Sequence, residues 1–252
     1  MKSINKIILN NIKVVSETNY FRTCIGLILI FSIYGGYLSA RLSYLNGFIL
    51  ILTDATFFVL GVLMPFLVIT LCTYVYFDKN IYLIARLKTK KEYLKYLILT
   101  VFIMNLFVYF LMLIMVMIAL NLFLKSGLGF QMNFELHCHN FIYLIFIIIR
   151  LFCLMEIISI CNVLLCRKLN SKIIIVLNVV LYGILFGSPY LLITPVDNIF
   201  SMPLFIGNYL IITRYESFGL ELFCTMIYIF ILSLVNMGLF KIVKNRIGDI
   251  QL

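Results

Sequence analysis

The sequence predicts an all-α integral membrane protein with six transmembrane helices, folded as a single domain over residues 1–252. Three observations carry that expectation. Hydrophobic residues make up 64% of the chain and charged ones only 12%, whereas soluble globular domains hold about 45–50% apolar and about 25% charged residues. The apolar residues gather in six runs, at 23–40, 55–77, 95–124, 141–166, 173–193 and 220–240, each close to the roughly 20 helical residues that cross a hydrocarbon core about 30 Å thick. The basic residues fall on alternate connections. With the N-terminus inside, the cytoplasmic segments hold Lys2, Lys6, Lys13 and Arg22, then Lys79, Arg86, Lys88, Lys90, Lys91 and Lys95, then Arg167, Lys168 and Lys172, and last Lys241, Lys244 and Arg246. The outer loops hold Arg41, Lys125 and Arg214. Such an imbalance sets the orientation by the positive-inside rule and places both termini in the cytoplasm. The net charge of +10 therefore reads as membrane topology, not as a nucleic-acid footprint.

Residues 1–21 carry Ile4, Ile7, Ile8, Ile12 and Val15 at helical spacing, with Lys2, Lys6, Asn10 and Lys13 largely on other faces. This is the pattern of an amphipathic helix lying in the inner headgroup region. It lacks the unbroken apolar core of a secretory signal peptide. On the first span Ser32, Gly36 and Ala40 recur every fourth residue, a small-residue stripe that lets helix backbones approach closely where lipid supplies no hydrophobic drive. Pro65 in the second span, one turn after Gly61, and Pro189 in the fifth are expected to kink their helices.

The connection after the second span, residues 78–94, contains six of the chain's twenty basic residues once Lys95 is included. Asp78 is placed to cap a short helix over residues 79–87, whose Ile81, Tyr82, Leu83, Ile84 and Leu87 give it too much apolar surface for a solvated loop. That helix is expected to dock on headgroups or in the groove of a cytoplasmic protein. "TKKE" at residues 89–92 has the form of a capping box, so a new helix starts there and runs into the third span.

The outer loop before the fourth span contains "ELHCHN", with Glu135, His137, Cys138 and His139. Structural zinc usually needs four well-spaced ligands, and no bound metal is expected. The fourth span holds Arg150 and Glu156. Six residues at 100° each set them about 120° apart around a helix, so each needs a partner from another helix or from water, as interhelical glue or as part of a translocation path. The fifth span carries Gly183 and Gly187 in a G-x-x-x-G pair. Residues 194–219 are broken by Pro195, Asp197, Asn198, Pro203 and Asn208, and read as an extracellular cap of short helices instead of a seventh span. Seven cysteines, with Cys138 alone clearly in an outer loop, give no disulfide framework. No G-x-x-x-x-G-K-[ST], H-E-x-x-H or G-x-S-x-G motif occurs, so neither ATP binding nor the commoner hydrolytic chemistries are expected of this chain.

The interfacial start, the six spans, the basic "LIARLKTKKEYLKYLI" leading into the third span, the broken segment before the sixth and the basic tail "KIVKNRIGDIQL" together resemble the ABC-2-type permease subunits of ATP-driven exporters. In size the chain is similar to small bacterial members that export bacteriocins or amphipathic peptide toxins or confer immunity to them. The resemblance implies a multi-pass protein of the bacterial plasma membrane whose loop between spans two and three is a coupling helix, here Asp78, Lys79, Ile81, Tyr82, Ile84, Arg86 and Leu87, seated in an ATPase subunit. ATP and Mg would bind that partner, and no cofactor this chain. It also implies a dimer with a second copy or a related permease, with Ser32, Gly36, Ala40, Gly183 and Gly187 near its interface. The cargo would be an amphipathic or hydrophobic peptide. An intramembrane enzyme using Glu156 and Arg150, and a non-catalytic membrane scaffold, are the competing readings.

Overall fold

Unbroken apolar sequence leaves the backbone only itself to hydrogen-bond with. Accordingly, the computed structural model, which describes residues 2–40, 42–54, 56–79, 89–126, 140–191 and 218–246, is helical and has no strand among those residues. The helices are α1 (Lys2–Ser16), α2 (Asn19–Ser39), α3 (Tyr44–Thr53), a π-helical stretch (Phe57–Leu63) continuous with α4 (Met64–Asp78), α5 (Lys90–Ser126), α6 (Asn140–Cys166), α7 (Ser171–Leu191) and α8 (Phe218–Arg246). Five stretches are long and apolar enough to cross a membrane: Asn19–Ser39, Phe57–Asp78, Glu92–Leu124, Phe141–Cys166 and Phe218–Lys244. This is the architecture of a multi-pass membrane protein. The fifth expected crossing falls on α7, whose apolar stretch among the described side chains, Ser171–Ile184, is shorter.

The helix starts follow capping chemistry. Thr18 accepts the Phe21 amide at 3.2 Å and opens α2, and Thr89 accepts the Glu92 amide at 3.2 Å and opens α5. α1 forms as expected, but part of its apolar face is covered by protein: Ile8 and Val15 are buried, and the helix packs on α4, α5 and α2.

Helix α3 was not expected. Its ten residues are too few to cross a bilayer, and they run back into the bundle beside α2. A Cβ on Gly47 would meet Ser39 at 3.3 Å, and one on Gly35 would meet Ile51 at 2.9 Å, so α3 descends antiparallel to α2. Phe48, Ile49, Ile51 and Leu52 are all buried, between α2, α5 and α6. Asp54 then serves two helices. Its amide donates to Leu50 O at 2.9 Å to close α3, and its Oδ1 accepts the Phe57 amide at 2.7 Å to open the next helix. Irregular backbone inside a membrane bundle persists only under such cover.

The expected disturbance at Pro65 takes the form of the π-helical stretch. Proline has no amide to give and its ring crowds the carbonyl four residues earlier, here that of Gly61. The wider turn ends with the Met64 amide on Val59 O, a five-residue step. Phe57, Phe58 and Phe66 from this region are fully buried at the centre of the main apolar core. A second core, with Phe77, Leu94, Leu97, Val163 and Val243, fills the end of the bundle where the basic residues gather.

The stripe on the first span is used within the chain. Ser32 and Ala40 are buried, and a Cβ on Gly36 would lie 3.0 Å from the Ala119 backbone on α5. At Gly36 the stripe therefore packs against the chain's own third span, the close backbone approach that small residues allow. Gly183 has open space where its Cβ would be. The side chains of 185–191, and residues 80–88, 127–139 and 192–217, lie outside the described set, and with them Gly187, Ile81, Tyr82, Ile84, Arg86, Leu87, the His137/His139 loop and nearly all of the 194–219 cap.

Candidate functional site: polar clusters inside the bundle

Four polar groupings stand among the apolar helices. At the basic end, Asp78 is the last residue of α4, and its Oδ1 accepts from Tyr93 Oη at 2.8 Å on α5 and from Arg167 Nη2 at 2.8 Å just beyond α6. The Arg167 guanidinium lies over the Tyr93 ring at 4.4 Å and against Tyr74 at 5.5 Å. One carboxylate thus gathers the ends of three spans, and a cation held between two aromatic faces gains from both. Asp78 and Lys79 lie where the basic connection leaves the bundle, and Tyr93 where it returns. The expected capping of a following helix by Asp78 falls on residues outside the described set.

About two to three turns further in, Thr70 on α4, Asn105 on α5, and Glu156 and Ser159 on α6 meet. Thr70 Oγ1 is 3.1 Å from Ser159 Oγ and 3.5 Å from Asn105 Oδ1, and Asn105 Nδ2 is 3.4 Å from Glu156 Oε2. All four are buried, Glu156 at 5% exposure. Glu156 Oε1 has no hydrogen-bond partner among the described residues.

On another face of α6, Asn162 and Asn178 of α7 exchange a reciprocal pair of amide hydrogen bonds at 3.1 and 2.8 Å, and Asn236 of α8 donates to Ile157 O at 2.9 Å. Together with Cys161, Leu177 and Leu232 these asparagines line an otherwise apolar crevice of about 200 Å³ between α6, α7 and α8.

Toward the opposite end, Arg150 forms an ion pair with Glu221 in the first turn of α8. Tyr143 Oη lies 2.8 Å from both Glu221 carboxylate oxygens, and the Phe146 ring lies 5.3 Å from the guanidinium. Arg150 and Glu156 do not pair with each other, as their angular separation implies; each is answered by a different helix. The partner the sequence reading missed is Glu221. Its signal was an acid three residues into an apolar run, unmatched by any charge on its own helix face. The six described cysteines are free thiols, and no three His, Cys, Asp or Glu side chains converge as a metal site among the described residues.

Comparison of the chain with protein-family models, with characterised proteins and with solved structures finds no match.

Proposed function

We propose that this chain is the membrane-spanning permease subunit of an ATP-binding-cassette exporter. It has six spans and cytoplasmic termini in a bacterial plasma membrane, and it moves amphipathic or hydrophobic peptides, toxin or antimicrobial, out of the cell with a separate ATPase. The observation that carries the reading is the cluster at the basic end. Asp78, Tyr93 and Arg167 tie both roots of the 80–88 connection to each other and to the end of α6. A force applied to that connection by a cytoplasmic partner reaches three spans at once. A scaffold has no use for such a linkage. An enzyme needs convergent reactive groups, whereas Arg150 is held by Glu221 and Glu156 sits in a separate cluster with Asn105.

Two further features support the reading. The crevice between α6, α7 and α8 offers apolar walls with a few amides, a surface that suits greasy cargo better than an ion or a sugar. Exposed apolar side chains on α7 and α8, among them Val176, Val180, Phe223 and Phe230, together with Gly183, provide a face for lipid or a second permease copy.

The test is copurification from mild detergent. The wild-type chain is expected to retain a nucleotide-binding subunit, and the triple substitution Ile81→Asp, Ile84→Asp, Leu87→Asp to lose it while still folding. Retention of the ATPase by the triple variant, or absence of any nucleotide-binding partner, refutes the coupling assignment.

A further inference from the structure

We propose that Glu156 is a buried proton-binding site, holding its proton while α4, α5 and α6 are packed together and releasing it when they part. This holds whether or not the chain works with an ATPase. Glu156 is 5% exposed, its Oε1 has no hydrogen-bond partner among the described residues, and its Oε2 has one neutral amide at 3.4 Å. An ionised carboxylate offers about four acceptor sites, and charge-assisted hydrogen bonds to it are usually about 2.7–2.9 Å long. A buried charge stays charged only when paired or well hydrogen-bonded; otherwise it neutralises by taking up a proton.

Among the described residues no cation is placed to do the pairing. Arg150 is committed to Glu221 and Arg167 to Asp78, while Lys95, Lys172, Lys241 and Lys244 are exposed toward the basic end. The other ionisable side chains in the bundle include Cys153, Cys161 and Tyr143 on α6, Cys72 on α4, Tyr109 on α5 with its hydroxyl on Ile148 O, Tyr182 on α7, Cys224 and Tyr228 on α8, and Cys24 on α2. These Cys and Tyr side chains are neutral when protonated, and α3 adds Tyr44 at its start and the carboxyl group of Asp54 at its end, which supplies no positive charge either.

The neighbouring groups accept a protonated acid without moving. A half-turn of the Asn105 amide keeps its heavy-atom positions and makes a directional chain: Glu156 Oε2–H donates to Asn105 Oδ1, Asn105 Nδ2 to Thr70 Oγ1, and Thr70 Oγ1–H to Ser159 Oγ. The four members come from three spans, so separating α4 from α6 breaks the Thr70–Ser159 link, admits water, and lets the carboxyl ionise with its proton passing to solvent.

The test compares the purified full-length chain with Glu156→Gln. Infrared difference spectra at neutral pH are expected to show a protonated-carboxyl C=O stretch in the wild type that is lost in the variant. An acid that binds its proton more tightly when folded loses stability as pH rises from the unfolded carboxyl range toward its folded pKa. The wild-type melting temperature should therefore fall with rising pH more than that of Glu156→Gln. If Glu156→Gln does not fold, Glu156→Met serves the same comparisons. The proposal is overturned by a wild-type spectrum showing no variant-sensitive protonated carboxyl, by parallel pH profiles, or by stabilisation of the wild type by Na⁺ over K⁺ that the variant lacks, which would make the ligand a metal ion.

Discussion

Removing the carboxylate of Glu221 should destabilise the bundle severely, and removing its partner as well should restore most of the loss. The side chains of Arg150 and Glu221 are 1% and 3% exposed. In Glu221→Ala the guanidinium stays buried without its counter-charge, a situation that costs about 3–5 kcal/mol. Tyr143 loses its acceptor in the same step, worth roughly 0.5–1.5 kcal/mol for a hydrogen bond of this kind. At about 2–4 °C per kcal/mol for a chain of this size, the charge term alone lowers the melting temperature by roughly 6–20 °C. Replacing the pair together, Arg150→Met with Glu221→Leu, removes both desolvated charges and should land within about 1.5 kcal/mol of the wild type. The assay is thermal unfolding of purified wild type, both single variants and the double variant, read as a double-mutant cycle with an expected coupling above about 2 kcal/mol. Single variants that each lose less than about 1 kcal/mol and simply add in the double would refute the claim that these charges depend on each other.

Three other outcomes follow from the packing. Gly36→Leu drives a side chain into the Ala119 backbone and should cost about 1–3 kcal/mol, whereas Gly183→Leu enters open space and should leave monomer stability unchanged; thermal melts separate the two. Asn162→Leu alone strands the buried Asn178 Oδ1, while Asn178 Nδ2 keeps Ile174 O, and should lower stability by roughly 1–2 kcal/mol, with the Asn162→Leu, Asn178→Leu double variant recovering most of it in the same melts. Thr89→Ala removes the cap of α5 and should cost about 1 kcal/mol, detectable as faster amide exchange in the first turn after Lys90.

The long crossings were legible because an apolar run of about 20 residues has one stable solution in lipid. The start of α5 follows from the Thr89 cap that "TKKE" marks in the sequence, while the Thr18 cap that opens α2 became visible only in the structure. Helix α3 was not legible. "YLNGFILILT" is too short to span, and nothing local announces that Gly35, Gly47 and Asp54 together let it fold back beside α2. The stripe at Ser32, Gly36 and Ala40 was visible as a close-packing face, but small residues do not name the helix that fills them. Arg150 and Glu156 were recognisable as needing separate partners. Their identity depended on tertiary placement of Glu221 and Asn105, which no periodicity encodes.

The central claim is that movement of the basic connection by an ATPase drives peptide across the membrane. The direct measurement is reconstitution of the chain with its copurifying ATPase in sealed vesicles, followed by uptake of a fluorescent amphipathic peptide. The account predicts ATP-dependent peptide accumulation by the wild-type pair and none with the Ile81→Asp, Ile84→Asp, Leu87→Asp variant. Peptide movement that proceeds equally without ATP, or that the triple variant leaves intact, would contradict it.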